Sequence, residues 1–156
     1  MTITYKTGIS ADEVNALRKA MGWRRLLPEQ LSASLKGSAL VMAAYAEDTA
    51  IGMARLVWDG GVMAAIPGIL IHPQYENHGV EKELVIQVLN YLRGKLKPGF
   101  GIQVDIKAFG NQERLYENIG FQESTVEQRG MPMHICLSNQ IELADKMFQQ
   151  MEYSSE

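Results

Sequence analysis

Between Ile69 and Ala108 the chain passes from an apolar run ended by Pro73, through a polar loop with one glycine, into a long amphipathic stretch and then a second alternating run. Val80, Leu84, Val85, Val88, Leu89, Leu92 and Leu96 form one broad stripe at helical spacing, which predicts a helix from Val80 to about Lys97, ended by Pro98-Gly99. Ile102, Val104 and Ile106 then alternate with Gln103, Asp105 and Lys107, predicting a strand over Gly101 to Ala108. Strand, helix and strand in this order make a right-handed crossover, which needs a sheet with a helix-covered face. The first backbone N–H groups of a helix have no intrahelical partner and its dipole favours negative charge there, so the loop before Val80 reads as an anion cradle. Two carboxylates, Glu76 and Glu81, sit beside that cradle.

The remaining elements follow from local signals. Thr2 to Lys6 alternates as a first strand, and Ser10 with Glu13 forms a capping box that starts a helix carrying Val14, Leu17, Ala20 and Met21 on one face, ending near Gly22. Pro28 suits the first turn of a second helix with Leu31 and Leu35, which Gly37 ends. Ala39 to Ala46 and Ala50 to Trp58 flank the turn Glu47-Asp48-Thr49 as a hairpin, and Asp59-Gly60-Gly61 makes the next turn. A third strand, Val62 to Ile71, is interrupted at Pro67-Gly68, where a bend or splay is expected. Asn111 is placed to cap a short helix through about Asn118, closed by Gly120. Strands are expected from Phe121 and over Met133 to Leu137, with Cys136 in the core, and Asn139 to Glu142 is a capping box for a last helix bearing Ile141, Ala144, Phe148 and Met151. The order describes an α/β chain with antiparallel hairpins beside a crossover.

No linker or repeat divides the 156 residues, so one domain, 1–156, is expected, with a core over 1–137 and a C-terminal helix and tail over 138–156. A net charge of −3 argues against nucleic acid or an anionic membrane as main partner. No apolar run approaches the roughly 20 residues of a membrane span, and the N-terminus lacks a signal-peptide pattern. The single cysteine leaves no internal disulfide and no structural metal set. A cytoplasmic protein without a metal is the expectation, and the apolar stripe of the last helix leaves a homodimer contact open.

Two segments resemble the GNAT N-acetyltransferase superfamily. The loop before the long helix stands where that family carries its acyl-CoA-binding motif, Gln/Arg-x-x-Gly-x-Gly/Ala. Asn111 with Tyr116-Glu117-Asn118-Ile119-Gly120-Phe121 is similar to the family's closing signature, an Asn followed by Tyr, three residues and Gly-Phe. Gly22-Trp23 and Trp58-Asp59-Gly60 also resemble small bacterial members. The likeness spans about residues 1–137 and implies a GNAT-like open mixed sheet of about seven strands with flanking helices and the extra C-terminal helix.

The resemblance implies a donor, acetyl-CoA, and an acceptor, a primary amine on a small molecule or peptide. Leu70 and Ile71 would pair with the pantetheine arm, the amides of Asn77, His78, Gly79 and Val80 would take the pyrophosphate, and Asn111 would reach the cofactor. A backbone N–H near Ile71 would polarise the thioester oxygen, and Tyr116 would protonate the departing thiolate. The chain departs from the motif at Glu76 and Glu81, and many relatives carry an acidic residue where this chain has Gly68. A carboxylate about 4 Å from a phosphate charge costs on the order of 4 kcal/mol at an effective dielectric of 20 and about 1 kcal/mol in water. The competing reading is therefore a GNAT-fold binding or regulatory protein with little CoA affinity. Plainer readings also stand beside each residue. Glu76 and Glu81 suit a helix start on dipole grounds alone, His78 suits an exposed loop, His72 suits the strand end, and Tyr116 suits packing its ring under the loop with its hydroxyl satisfied by water.

Overall fold

The computed structural model describes residues 2–110 and 112–139, and the chain divides into two compact units, Met1–Lys107 and Ala108–Glu156. The first unit holds the sheet. Its elements are β1 (Ile3–Thr7), α1 (Ala11–Ala20), α2 (Pro28–Gly37), β2 (Leu40–Ala46), β3 (Thr49–Trp58), β4 (Met63–Ile66), β5 (Leu70–Ile71), a 3₁₀ turn (Pro73–Tyr75), α3 (Val80–Arg93) and β6 (Gln103–Ile106). The capping box forms as its chemistry requires, with Glu13 N–H donating to Ser10 Oγ and Ser10 N–H to Glu13 Oε1, both at 3.1 Å. Asp59 Oδ1 accepts from the amides of Gly61 and Met63, and the Trp58 indole N–H donates to Gly61 O, which fixes the turn into β4.

The strands run β1-β2-β3-β4-β6, antiparallel except for β4 with β6, and β5 also pairs with β3. The break expected at Pro67-Gly68 divides one strand into two with different partners. Ahead of it, β4 pairs with β6 from Met63↔Gln103 to Ile66↔Ile106; beyond it, β5 pairs with β3 alone among the described residues. The sheet is thus splayed between β5 and β6. Side-chain alternation along β3 assigns the two layers. Met53 joins Val14, Leu17, Leu31 and Leu70 in a cluster under α1 and α2. Gly52, one residue earlier, faces Val80 at the start of α3. Leu84, Val85 and Val88 carry α3 onto that second face fully buried, each contributing roughly 1.5–3 kcal/mol.

Three expectations are corrected. The long helix ends at Arg93, not near Lys97, because Gly94 takes the cap position and the chain tightens into i→i−3 bonds, Lys95 N–H to Leu92 O and Leu96 N–H to Arg93 O. Leu96, assigned to the buried stripe, is exposed. In the second unit α4 (Glu113–Ile119) is followed by α5 (Val126–Arg129), a short helix capped by Thr125, and not by a strand from Phe121. Residues 131–139 form no strand either. The alternation of Met133, Ile135 and Leu137 forms no ladder among the described residues, these three side chains are exposed, and Cys136 is only half-buried. The described sheet has six strands where about seven were expected. The C-terminal helix of Ile141 to Met151 lies outside the described residues.

Candidate active site

The splay creates the first feature of the site. His72 N–H donates to Ile51 O at 2.8 Å, and the register sets Ile71 opposite Gly52 and Leu70 opposite Met53. In an antiparallel ladder, hydrogen-bonded and non-hydrogen-bonded pairs alternate. Since position 72 bonds to β3, position 71 lies in a non-bonded pair, and its N–H and C=O face the edge left open by the splay. Both side chains at this edge are buried, so the backbone is the polar surface on offer.

The second feature is the turn into α3. His72 Nδ1 accepts from Gln74 N–H at 3.2 Å and caps the 3₁₀ turn, so His72 has the structural role expected of it. His78 Nδ1 lies 2.8 Å from Glu76 O and must carry the proton there, because a carbonyl only accepts. Tyr75 lies between the two imidazoles, with ring centroids 5.9 Å from His72 and 6.1 Å from His78. Asn77 (φ 61) and Gly79 (φ 78) both take the left-handed conformation, which turns the chain sharply into α3. Gly79 accepts the first helical bond, from Glu83 N–H, and no side chain caps this end. A Cβ built on Gly79 would meet nothing within 4 Å, so the surface at the helix entrance is open to a close approach. These are the traits of a helix start that suits an anion.

The acidic residues are disposed mildly. Glu76 is exposed, and Glu81 and Glu83 are half-buried in the first turn of α3, Glu83 accepting from Gln87 Nε2 at 2.9 Å. Full solvation of Glu76 puts its repulsion of a nearby phosphate toward the lower, water-like figure of about 1 kcal/mol. Gly68, in the break between β4 and β5, places no carboxylate beside the open edge.

Sequence reasoning missed Gly52. A Cβ there would stand 3.1 Å from Val80 Cγ1, 3.2 Å from Ile71 Cδ1 and 3.3 Å from Leu70 O. Its missing side chain lets β5 and the first residue of α3 close onto β3, so one glycine sets both the open edge and the anion-facing turn. A glycine inside an apolar strand was the available signal.

In the second unit the Tyr116–Phe121 signature has a plain structural meaning. Phe121 N–H donates to Tyr116 O at 3.0 Å and Gly120 N–H to Glu117 O at 3.0 Å, with Gly120 at φ 123. This is a Schellman motif, and the Tyr116 and Phe121 rings supply its apolar contact at 5.9 Å. The Tyr116 ring is buried and its hydroxyl donates to Gln112 Oε1 at 3.4 Å. Asn111 lies outside the described residues; Gln112 stands at the N-cap position without a side-chain cap bond.

Among the described residues no group of three or more His, Cys, Asp or Glu could hold a metal ion, and no helix is long and apolar enough to cross a membrane. An uncharacterized N-acetyltransferase of Prochlorococcus marinus is 32% identical over 87 residues, covering 53% of this chain and 48% of that protein. The chain spans about half the length of the curated relatives it matches, from 48% to 60%. By fold it is similar to a probable acetyltransferase from methicillin-resistant Staphylococcus aureus, with TM-score 0.73 at 20% identity over 85% of this chain and 99% of that one. The protein AAC(6')-Iy, solved in complex with the bisubstrate analogue CoA-S-monomethyl-acetylneamine, gives TM-score 0.62 at 16% identity over 86% of this chain and 97% of that one. At these identities the likeness is one of fold. Residues 9–135 match the acetyltransferase (GNAT) domain, so the chain belongs to the GNAT acetyltransferase family.

Proposed function

We propose that this chain is an N-acetyltransferase that moves an acetyl group from acetyl-CoA to a primary amine. The observation that carries the reading is the pairing, within one unit, of an open backbone edge at Ile71 with an α3 start that no side chain caps. Support for the donor also comes from the CoA-linked analogue held by a protein of like fold.

When bound, acetyl-CoA supplies the electrophilic thioester carbonyl. Ile71 offers its edge-facing backbone groups to the pantetheine arm, while Leu70, whose own groups face Met53 in the ladder, holds that edge in place. The amides of Asn77, His78, Gly79 and Val80 hold the pyrophosphate, with Asn111 as a further contact. The Ile71 N–H stabilises negative charge on the thioester oxygen as the amine attacks. The amine lone pair forms the C–N bond of a tetrahedral intermediate. As this collapses the C–S bond breaks, Tyr116 gives its phenolic proton to the departing sulfur, and the proton shed by the acylated nitrogen passes to water, from which Tyr116 is reprotonated. With glycine at position 68, an amine that arrives neutral is the fitting nucleophile.

Thiol release from acetyl-CoA across a panel of primary amines tests this reading. Tyr116→Phe is expected to lower kcat by about 10²–10⁴-fold while acetyl-CoA affinity stays near that of the wild type. Unchanged turnover in Tyr116→Phe removes Tyr116 from the mechanism. Thiol release from no amine, in a protein that also fails to bind acetyl-CoA, removes the function.

A further inference from the structure

The turn that joins α1 to α2 is held rigidly and is rich in cations. Asn15 Nδ2 donates to Leu26 O at 2.9 Å, and Leu26 N–H returns a bond to Asn15 Oδ1 at 3.0 Å. Trp23 N–H donates to Arg18 O at 2.7 Å, Arg18 Nε donates to Arg24 O at 2.8 Å, and the Arg18 guanidinium lies 5.3 Å from the Trp23 ring centre. The Arg18 side chain is thereby tied to the Arg24 backbone. Among the described residues neither Arg18 nor Arg24 has a carboxylate partner, and the buried Arg24 Nε donates to no acceptor. Burial, with the Arg24 charge adding to it, holds the Arg18 guanidinium below its ordinary pKa.

Arg24 Nε is sealed from solvent and out of an anion's reach, but two arginines without a carboxylate partner leave positive charge that an anion offsets at their terminal guanidinium nitrogens. The location gives that anion a purpose. The Trp23 ring edge, at Cη2, is 4.0 Å from where a Cβ on Gly68 would stand. Gly68 lies in the break that precedes the open Ile71 edge. The arginine turn therefore flanks the reacting edge on the α1/α2 layer, opposite the layer that carries α3 and its anion-facing start.

We propose that Arg18 and Arg24, beside Trp23, form a subsite for an anionic group, carboxylate or phosphate, carried by the amine acceptor. Guanidinium groups match both oxyanions through forked, charge-assisted bonds. The proposal rests on the acetyl-transfer reading and narrows its acceptor to an amine that bears a negative charge.

Matched amines test it: glycine against glycinamide for the carboxylate, and phosphoethanolamine against ethanolamine for the phosphate. In at least one pair the anionic member is expected to have a KM lower by about ten- to a hundredfold. Arg24→Gln is expected to abolish that preference, and Arg24→Lys to restore part of it. Equal KM values within both pairs, or a preference that survives Arg24→Gln, overturn the subsite. Failure of acetyl-CoA to bind overturns the acetyl-transfer reading instead. Thermal unfolding with the anionic amines alone then decides the subsite. A rise in Tm in the wild type that is lost in Arg24→Gln upholds it, and no rise overturns it.

Discussion

Gly52→Ala puts a single methyl group where β3, β5 and α3 converge. The new carbon would lie 3.1 Å from Val80 Cγ1, 3.2 Å from Ile71 Cδ1 and 3.3 Å from Leu70 O. The Ile71 methyl is the end of a flexible side chain and can turn aside. Leu70 O belongs to the β5 backbone, and Val80 is a stiff β-branched residue only 1% exposed, so neither yields without moving its element. Overpacking of this kind costs about 1–3 kcal/mol. Replacing a strand glycine returns roughly 0.5–1 kcal/mol of backbone entropy, since the Gly52 backbone lies outside the left-handed region. The net loss is then up to about 2.5 kcal/mol, which lowers Tm by as much as roughly 10 °C for a chain of this size. Gly101→Ala is the control, because a Cβ there meets nothing within 4 Å. Thermal unfolding of both variants should show a fall for Gly52→Ala alone, with weakened acetyl-CoA binding as Val80 and the α3 start are displaced. A Gly52→Ala protein that keeps both the stability and the acetyl-CoA affinity of the wild type would refute the close approach as what positions the site.

Two further outcomes follow from the α1 end of the molecule. Ser10→Ala removes one half of the capping box and should cost about 1 kcal/mol, read as a Tm lower by roughly 2–4 °C; an unchanged Tm would contradict it. Burial and the hydrogen-bonded Glu13 carboxylate push the Tyr45 phenol up to about 12. A folded pKa above the unfolded value of about 10 means that its contribution to stability is complete below pH ~10 and is lost as pH rises toward 12. Absorbance titration should find one tyrosine ionising near pH 12, lowered in Glu13→Gln, and a tyrosine population wholly titrated near 10 would exclude this.

The parts of the fold legible in the sequence are those set by chemistry within a few residues. Ser10 with Glu13, Pro28, Asp59-Gly60-Gly61 and the Pro67-Gly68 break each stand where their local preferences put them. Pro98-Gly99 as a stop signal places the end of α3 too late, because Gly94 comes before it and acts first. Alternation over Met133 to Leu137 predicts a strand, yet a strand also needs a neighbour, which periodicity does not report. Of the candidate site, the local parts were legible: the glycine of the loop before α3 and the closing turn at Gly120. Gly52 and the Arg18–Arg24 pair were not, because their meaning depends on atoms brought close by the sheet and by the α1–α2 turn.

The central claim is that the open Ile71 edge and the start of α3 hold acetyl-CoA in spite of Glu76 and Glu81. Titration calorimetry of the full chain with acetyl-CoA tests it most directly. Saturable one-to-one binding in the micromolar range is the expected result. The absence of any binding heat at millimolar acetyl-CoA, in protein shown to be folded, would contradict it.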